Sequence, residues 1–172
     1  MPRLILIDGY NYLYRAYHAI KVQGRELTAP DGFPTGAMFG MLNMLRGHLK
    51  EKPEHIALVM DAPGPTFRDD LYPDYKANRA PMPDDLRVQV EPILEIVSAL
   101  GIPILRVPGV EADDVIGTLA LQGAAEGIEV TVSSGDKDMA QLVRPHVVLV
   151  NTMSGSRLDS DAAVIATDRN VL

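Results

Sequence analysis

The chain has 172 residues, 47% apolar and 23% charged, with 23 Asp and Glu against 16 Lys and Arg for a net charge of −7, and it has no cysteine. That is the composition of a soluble globular protein, large enough for one domain with a substantial core. It excludes disulfides and thiolate metal sites, and no apolar run approaches the about 18 residues of a membrane span.

Met1, Pro2 and Arg3 lead directly into an apolar run, Leu4, Ile5, Leu6 and Ile7, with no signal-peptide pattern ahead of it. Together with the absence of cysteine, this is compatible with the cytoplasm, the expected location. The run reads as a buried parallel strand and ends at Asp8 and Gly9. A helix is expected from about Tyr12, where Tyr10, Tyr12, Tyr14, Tyr17 and Arg15 form either a half-buried face or a stacking and phosphate-contact surface. Residues 21–34 read as a polar loop punctuated by Gly and Pro. Thr35 is placed as the cap of a helix to about Lys50, with Met38, Met41, Leu42 and Leu45 on its inner face.

Residues 56–60 form a second apolar strand, which also ends in an acid, Asp61. Residues 62–83 then change character, mixing prolines with Phe67, Arg68, Tyr72, Tyr75, Lys76 and Arg79. A stretch of about 20 irregular residues inside a compact domain is either functional or a solvated loop, and basic residues interleaved with aromatics suit a nucleic-acid-contacting element. Asp84 or Asp85 should cap a long helix to about Leu100, followed by a third strand over residues 102–105.

Next come Glu111, Asp113 and Asp114, with Val115, Ile116, Leu119 and Ala120 repeating at helical spacing behind them. One reading is dipole and cap chemistry at a helix start. But capping needs one acid, and three crowded carboxylates repel one another unless a cation lies between them. A fourth strand over residues 129–133 leads to Asp136 and Asp138 and a short helix. A fifth strand covers residues 147–150, and residues 151–158 read as a turn or hairpin.

Strands alternating with helices predict an α/β fold with a parallel sheet, whose ligands bind beyond the carboxyl ends of the strands. Asp8, Asp61 and Asp136 end strands, and Glu111, Asp113 and Asp114 follow a third strand after a short loop, so all can meet at one edge with Asp138. These seven acids account for the whole net charge, since the other sixteen balance the sixteen Lys and Arg. Bound cations would offset much of that charge, so acidity does not exclude a nucleic-acid partner. All-oxygen ligands select Mg²⁺ or Mn²⁺ over Zn²⁺. His18, His48, His55 and His146 lie away from the acidic motifs and are read as non-ligands. There is no phosphate loop and no nucleophile elbow. The chemistry that fits is two-metal phosphodiester hydrolysis, with ions about 4 Å apart.

Several stretches together resemble the 5′-nuclease domain of bacterial DNA polymerase I, a relative of flap endonucleases with a PIN-like core. They are DGYNYLYRAYH from Asp8, PTGAMFG from Pro34, FRD from Phe67, YKANR from Tyr75, PMPDDLR from Pro81, GVEADDVIGTLA from Gly109 and GDKDMAQLV from Gly135. The resemblance implies a three-layer PIN-like, Rossmann-like fold over residues 1–161, with a flexible arch at about residues 62–83. It implies a metal-dependent 5′–3′ exonuclease and flap endonuclease of replication and repair, acting on branched, nicked or 5′-flap DNA, including RNA primers; a monomer is expected. It assigns Asp8, Asp61, Glu111, Asp113, Asp114, Asp136 and Asp138 to two metal ions. Lys76 and Arg79 are assigned to the scissile phosphate, and Arg15, Tyr75, Lys76 and Arg79 to DNA contact. Residues 162–172 do not match the family pattern, and its later aspartate pair and helix-three-turn-helix are absent. The second metal site is therefore expected to be empty or weak. Two alternatives are an inactive DNA-binding or structural fragment and a PIN-type ribonuclease.

Overall fold

The structure is a computed structural model that describes residues 1–24, 26–72 and 80–160. In chain order the elements are β1 (Arg3–Asp8), α1 (Gly9–Val22), α2 (Gly36–Lys50), β2 (His55–Val59), α3 (Phe67–Leu71), α4 (Asp84–Ala99), β3 (Ile104–Leu105), α5 (Ala112–Ala125), β4 (Glu129–Ser133), a 3-10 helix (Lys137–Leu142), β5 (Val147–Asn151) and β6 (Ser156–Leu158). The six strands form one sheet in the order β3-β2-β1-β4-β5-β6. The first five are mutually parallel, and β6 returns antiparallel to β5 as a hairpin.

Alternation along the central strands makes three layers. Ile5, Ile7 and Leu58 pack against α1, α2 and α4, while Leu6, Ala57 and Val59 face α5 with Val130 and Val132. Because both faces are covered, β1 and β2 are continuous apolar runs rather than alternating ones. Leu6 and Ile7 are fully buried on opposite faces, and truncating either to Ala costs about 2–5 kcal/mol.

Helix starts differ from the expected ones, with physical causes. Helix α1 begins at once, at Gly9, because the Asp8 carboxylate accepts from the Asn11 N–H at 3.1 Å and caps it. Gly9 is required there, since a Cβ would run into the Met60 side chain and the Val59 carbonyl. Thr35 occupies the cap position of α2 but makes no side-chain cap bond. The cap comes instead from buried Gln89 of α4, whose Oε1 accepts from Ala37 N at 2.9 Å and Met38 N at 3.2 Å. Pro83, not Asp84 or Asp85, precedes α4; Asp85 lies in its first turn and accepts from the Tyr17 hydroxyl at 2.7 Å. The third strand shortens to two residues, and α3 is a short helix within residues 62–83.

A neutral polar cluster is buried between the sheet and α1 and α2. Tyr12 hydroxyl, His48 Nε2 and Ser133 Oγ are mutually hydrogen-bonded, with His48 2.8 Å from both oxygens. Thr152 adds a bond to Tyr12 at 3.3 Å, and Glu51 reaches His48 Nδ1 at 3.3 Å. His48 is 2% exposed, and burial lowers its pKa, so it is held neutral. Among the described residues no buried side-chain nitrogen or oxygen lacks a partner.

Candidate active site

The chain starts in the middle of the sheet at β1, moves out through β2 and β3, then returns to build β4 and β5 on the other side. Strand order therefore reverses between β1 and β4. Helix α1 leaves on one face and α5 enters from the other, so the two strand ends part and open a crevice, the place where open α/β sheets hold ligands. A cavity of about 530 Å³ lies there, lined by Asp8, Tyr10, Asn11, Tyr14, Asp61, Glu111, Asp113 and Asp136 with Ala80 and Ala112.

Each carboxylate reaches the cavity by a local device. Asp8 ends β1 and is only 7% exposed. One oxygen caps α1 and the other accepts from the Ser134 hydroxyl at 2.8 Å. Asp61 follows β2 and accepts from the Ala112 amide at 2.7 Å, tying the strand end to the first turn of α5. Glu111 is the N-cap residue of α5 in a capping box with Asp114, whose carboxylate accepts from the Glu111 amide at 3.1 Å. Asp113 lies in the first turn of α5. Asp136 follows β4, its amide donating to Ser134 Oγ at 3.0 Å, while the neighbouring Gly135 amide donates to Asn11 Oδ1 at 2.8 Å.

Gathering these charges has a cost that the proton equilibria register. Asp113 is pushed up to about 6, first by burial and then by the charges of Asp8, Asp136, Asp61 and Glu111. Asp8 is also raised by burial, against hydrogen bonds from Asn11 and Ser134 that favour its ionised form, with Asp136 and Asp61 adding to the rise. Groups from four separate elements therefore act on one another through the same space. A hard divalent cation fits this donor set, because the ligands are all oxygen and their mutual repulsion is what a cation relieves. The carboxylates are gathered but not clenched: among the described residues no three of them form a ready-made metal cage. Mg²⁺ usually keeps several of its waters, which suits such spacing.

Two expected members of the cluster are elsewhere. Asp114 is absent from the cavity lining because Arg68 takes both of its oxygens, at 2.6 and 2.7 Å. Adjacent helix residues point about 100° apart, and the capping box with the arginine draws Asp114 to the side away from Asp113. The same Arg68 lies 3.4 Å from Glu111, and the Phe67 amide donates to Gly109 O at 3.0 Å, so α3 is fastened to the start of α5. Asp138 is exposed and outside the lining; its amide donates to Asp136 Oδ1 at 2.9 Å, so it contributes backbone rather than charge. Tyr75, Lys76 and Arg79 lie outside the described residues. Arg15 flanks the cavity at β4, where its guanidinium fills the space that a Cβ on Gly135 would take.

The four tyrosines divide between two roles. Tyr12 and Tyr17 are core, and Tyr10 and Tyr14 wall the cavity. Sequence reasoning gave no part to Asn11 or Ser134, and placed Arg68 with the nucleic-acid-contacting residues rather than beside Asp114 and Glu111. A polar residue directly before Gly135 and Asp136, and another three residues after Asp8, were the available signals.

Known proteins resemble this chain in sequence and in fold. Residues 3–168 match the family model described as the 5′-3′ exonuclease, N-terminal resolvase-like domain. The chain is 60% identical over 159 residues to DNA polymerase I of Pseudomonas aeruginosa, covering 92% of this chain and 17% of that protein. It is 42% identical over 155 residues to the 5′-3′ exonuclease of Aquifex aeolicus, covering 90% and 52%. The chain thus spans about a sixth of the first relative and about half of the second. Its backbone superposes on the zinc-bound T5 5′-exonuclease with a TM-score of 0.64 at 17% identity, covering 91% of this chain and 58% of that one. The fold is PIN-like, and the chain belongs to the 5′-3′ exonuclease family as its N-terminal resolvase-like domain.

Proposed function

We propose that this domain hydrolyses DNA phosphodiester bonds at 5′ ends and 5′ flaps, using Mg²⁺ or Mn²⁺ held by Asp8, Asp61, Glu111, Asp113 and Asp136. The observation that carries the reading is the convergence of five carboxylates from four elements in one open cavity at the switch point of the sheet. Bound there, divalent ions supply a hydroxide nucleophile at neutral pH and neutralise the leaving oxygen. The protein's own groups do the positioning. Ser134 and Asn11 fix the Asp8 carboxylate, Asp61 anchors the turn that presents Asp113, and Arg68 steadies Glu111 through Asp114. Asp114 on this reading supports the ligands rather than joining them, and Asp138 holds the Asp136 loop by its amide.

Substrate contacts follow from the surroundings of the cavity. Tyr10 and Tyr14 offer ring faces beside the carboxylates, suited to an unpaired terminal nucleotide, and Arg15 offers a guanidinium for phosphate. Tyr75, Lys76 and Arg79 are assigned by resemblance to the strand carrying the scissile phosphate, where cations stabilise the developing charge. The experiment is cleavage of a 5′-end-labelled flap DNA by this domain in Mg²⁺, in Mn²⁺ and in EDTA. Cleavage at the flap junction that needs the metal and is lost in Asp113→Asn supports the reading. Cleavage of RNA alone, or none with either metal, overturns it.

A further inference from the structure

Among the described residues, Arg68 is taken up by Asp114 and Glu111, and Arg15 flanks the cavity at the β4 end; a further guanidinium, that of Arg106, belongs to the β3 end of the strand-edge row. It directly follows β3, whose register pairs Leu105 with Val59, and the Met60 amide donates to Leu105 O at 2.9 Å. Arg106 is therefore level with Met60, one residue short of Asp61, on the strand-end row that holds the site.

Arg106 is exposed, and among the described residues no acid is within ion-pair distance of it. The chain carries seven more acids than Lys and Arg. In such a chain, an exposed guanidinium on the strand-end row of the carboxylate site, with no acid bonded to it among the described residues, is a group set apart for an external anion. Pairing it with Asp61 would cancel a carboxylate of the site, whereas leaving it open supplies a positive rim to a negative pocket.

We infer that Arg106 is a second phosphate-contacting residue, binding the sugar-phosphate backbone of the nucleic acid on the β3 side of the cavity, opposite Arg15. Backbone runs from one guanidinium to the other across the carboxylates. The contact is sequence-independent, because it is made to phosphate and not to base edges. This inference rests on the nucleic-acid reading proposed above.

The test is fluorescence anisotropy with a fluorescein-labelled hairpin carrying a single-stranded 5′ arm, in Ca²⁺, titrated at several salt concentrations. Each phosphate contact contributes about 0.7–0.9 to the slope of log K against log salt. Arg106→Ala should lower that slope by about one contact and weaken binding roughly 3- to 10-fold at the lowest salt, equally for arms of different sequence. Arg106→Lys should retain most of the slope, because a lysine still offers a point charge to phosphate. Lys50→Ala, at the end of α2 that leads into the start of β2 and so at the opposite edge of the sheet, controls for net charge and should leave the slope unchanged. Equal losses in Arg106→Ala and Lys50→Ala, or an unaltered slope in Arg106→Ala while the parent binds, overturn the Arg106 contact alone. Absence of salt-dependent binding by the parent chain overturns the nucleic-acid reading, and this inference with it.

Discussion

Ser133 and Ser134 are neighbours at the end of β4, and they belong to opposite kinds of polar region. Ser133 turns into the buried cluster with Tyr12 and His48; Ser134 turns to Asp8 in the carboxylate cavity. In the first region the buried groups Tyr12, His48 and Ser133 are mutually bonded, and burial lowers the pKa of His48 to keep it uncharged. In the second, like charges are held together and burial with repulsion raises Asp113 and Asp8. A polar group serving the fold is matched to its partners, while a group serving chemistry is held in an environment it does not favour, to be relieved by a ligand. One strand end fixes both, so the satisfied cluster braces the frustrated one.

The largest expected effect separates the two regions by activity. Asp8→Asn should lower single-turnover flap cleavage by about 10³-fold, the equivalent of several kcal/mol in the barrier. Fold stability should change far less, since an amide oxygen can still cap α1. Cleavage retained within tenfold would show that Asp8 belongs to the fold alone.

The converse experiment is Tyr12→Phe. Deleting one hydroxyl removes the partner of Thr152 and one of the partners of His48 and Ser133, at a cost of about 1–3 kcal/mol. In a domain of this size that is a fall of roughly 2–10 °C in Tm, readable by thermal denaturation in EDTA. A Tm unchanged within a degree would mean that the cluster is not the brace described.

Acidity should pull the two regions in opposite directions. Asp113 has a folded pKa of about 6 against 3.8 for the unfolded residue, so between these values the folded state binds the extra proton. Its contribution favours folding below pH 4, is lost as pH rises to about 6, and is flat above that. His48 has a folded pKa below 6.5, so the unfolded chain binds its proton first and stability falls as pH drops below that value. In metal-free denaturation curves from pH 4 to 7, Asp113→Asn should remove the first slope and His48→Gln the second. An Asp113→Asn profile parallel to that of the parent chain would contradict the crowding of the cavity.

The smallest effect is expected at Asp138. Exposed and outside the lining, it should change global stability by less than about 0.5 kcal/mol when replaced by Asn. A larger loss in chemical denaturation would place its carboxylate in a contact that the cavity does not show.

Much of this arrangement was legible in the sequence for a simple reason. Strands buried on both faces are unbroken apolar runs, and an acid that ends such a run lies at the carboxyl edge of the sheet; Asp8, Asp61 and Asp136 could be placed this way. The choice between Asp113 and Asp114 could not be, since it depends on where Arg68 lands, 46 residues earlier in the chain. Gln89 capping α2 from 52 residues away, and His48 pairing with Ser133 across 85, are likewise products of tertiary packing with no local signature. His48 in particular reads only as a non-ligand away from the acidic motifs. Lys76 and Arg79 stand on the sequence pattern and the resemblance, since they fall outside the described residues.

The carboxylate cavity is most directly probed by thermal denaturation of the metal-free domain with and without millimolar Mn²⁺. A ligand that binds only the folded state raises Tm in proportion to the logarithm of its concentration over Kd. The parent chain should gain several degrees, while Asp113→Asn should start higher in EDTA, with one repelling charge removed, and gain little from the metal. A parent Tm indifferent to Mn²⁺, or an Asp113→Asn variant that gains as much as the parent, would contradict a cation site built from these five acids.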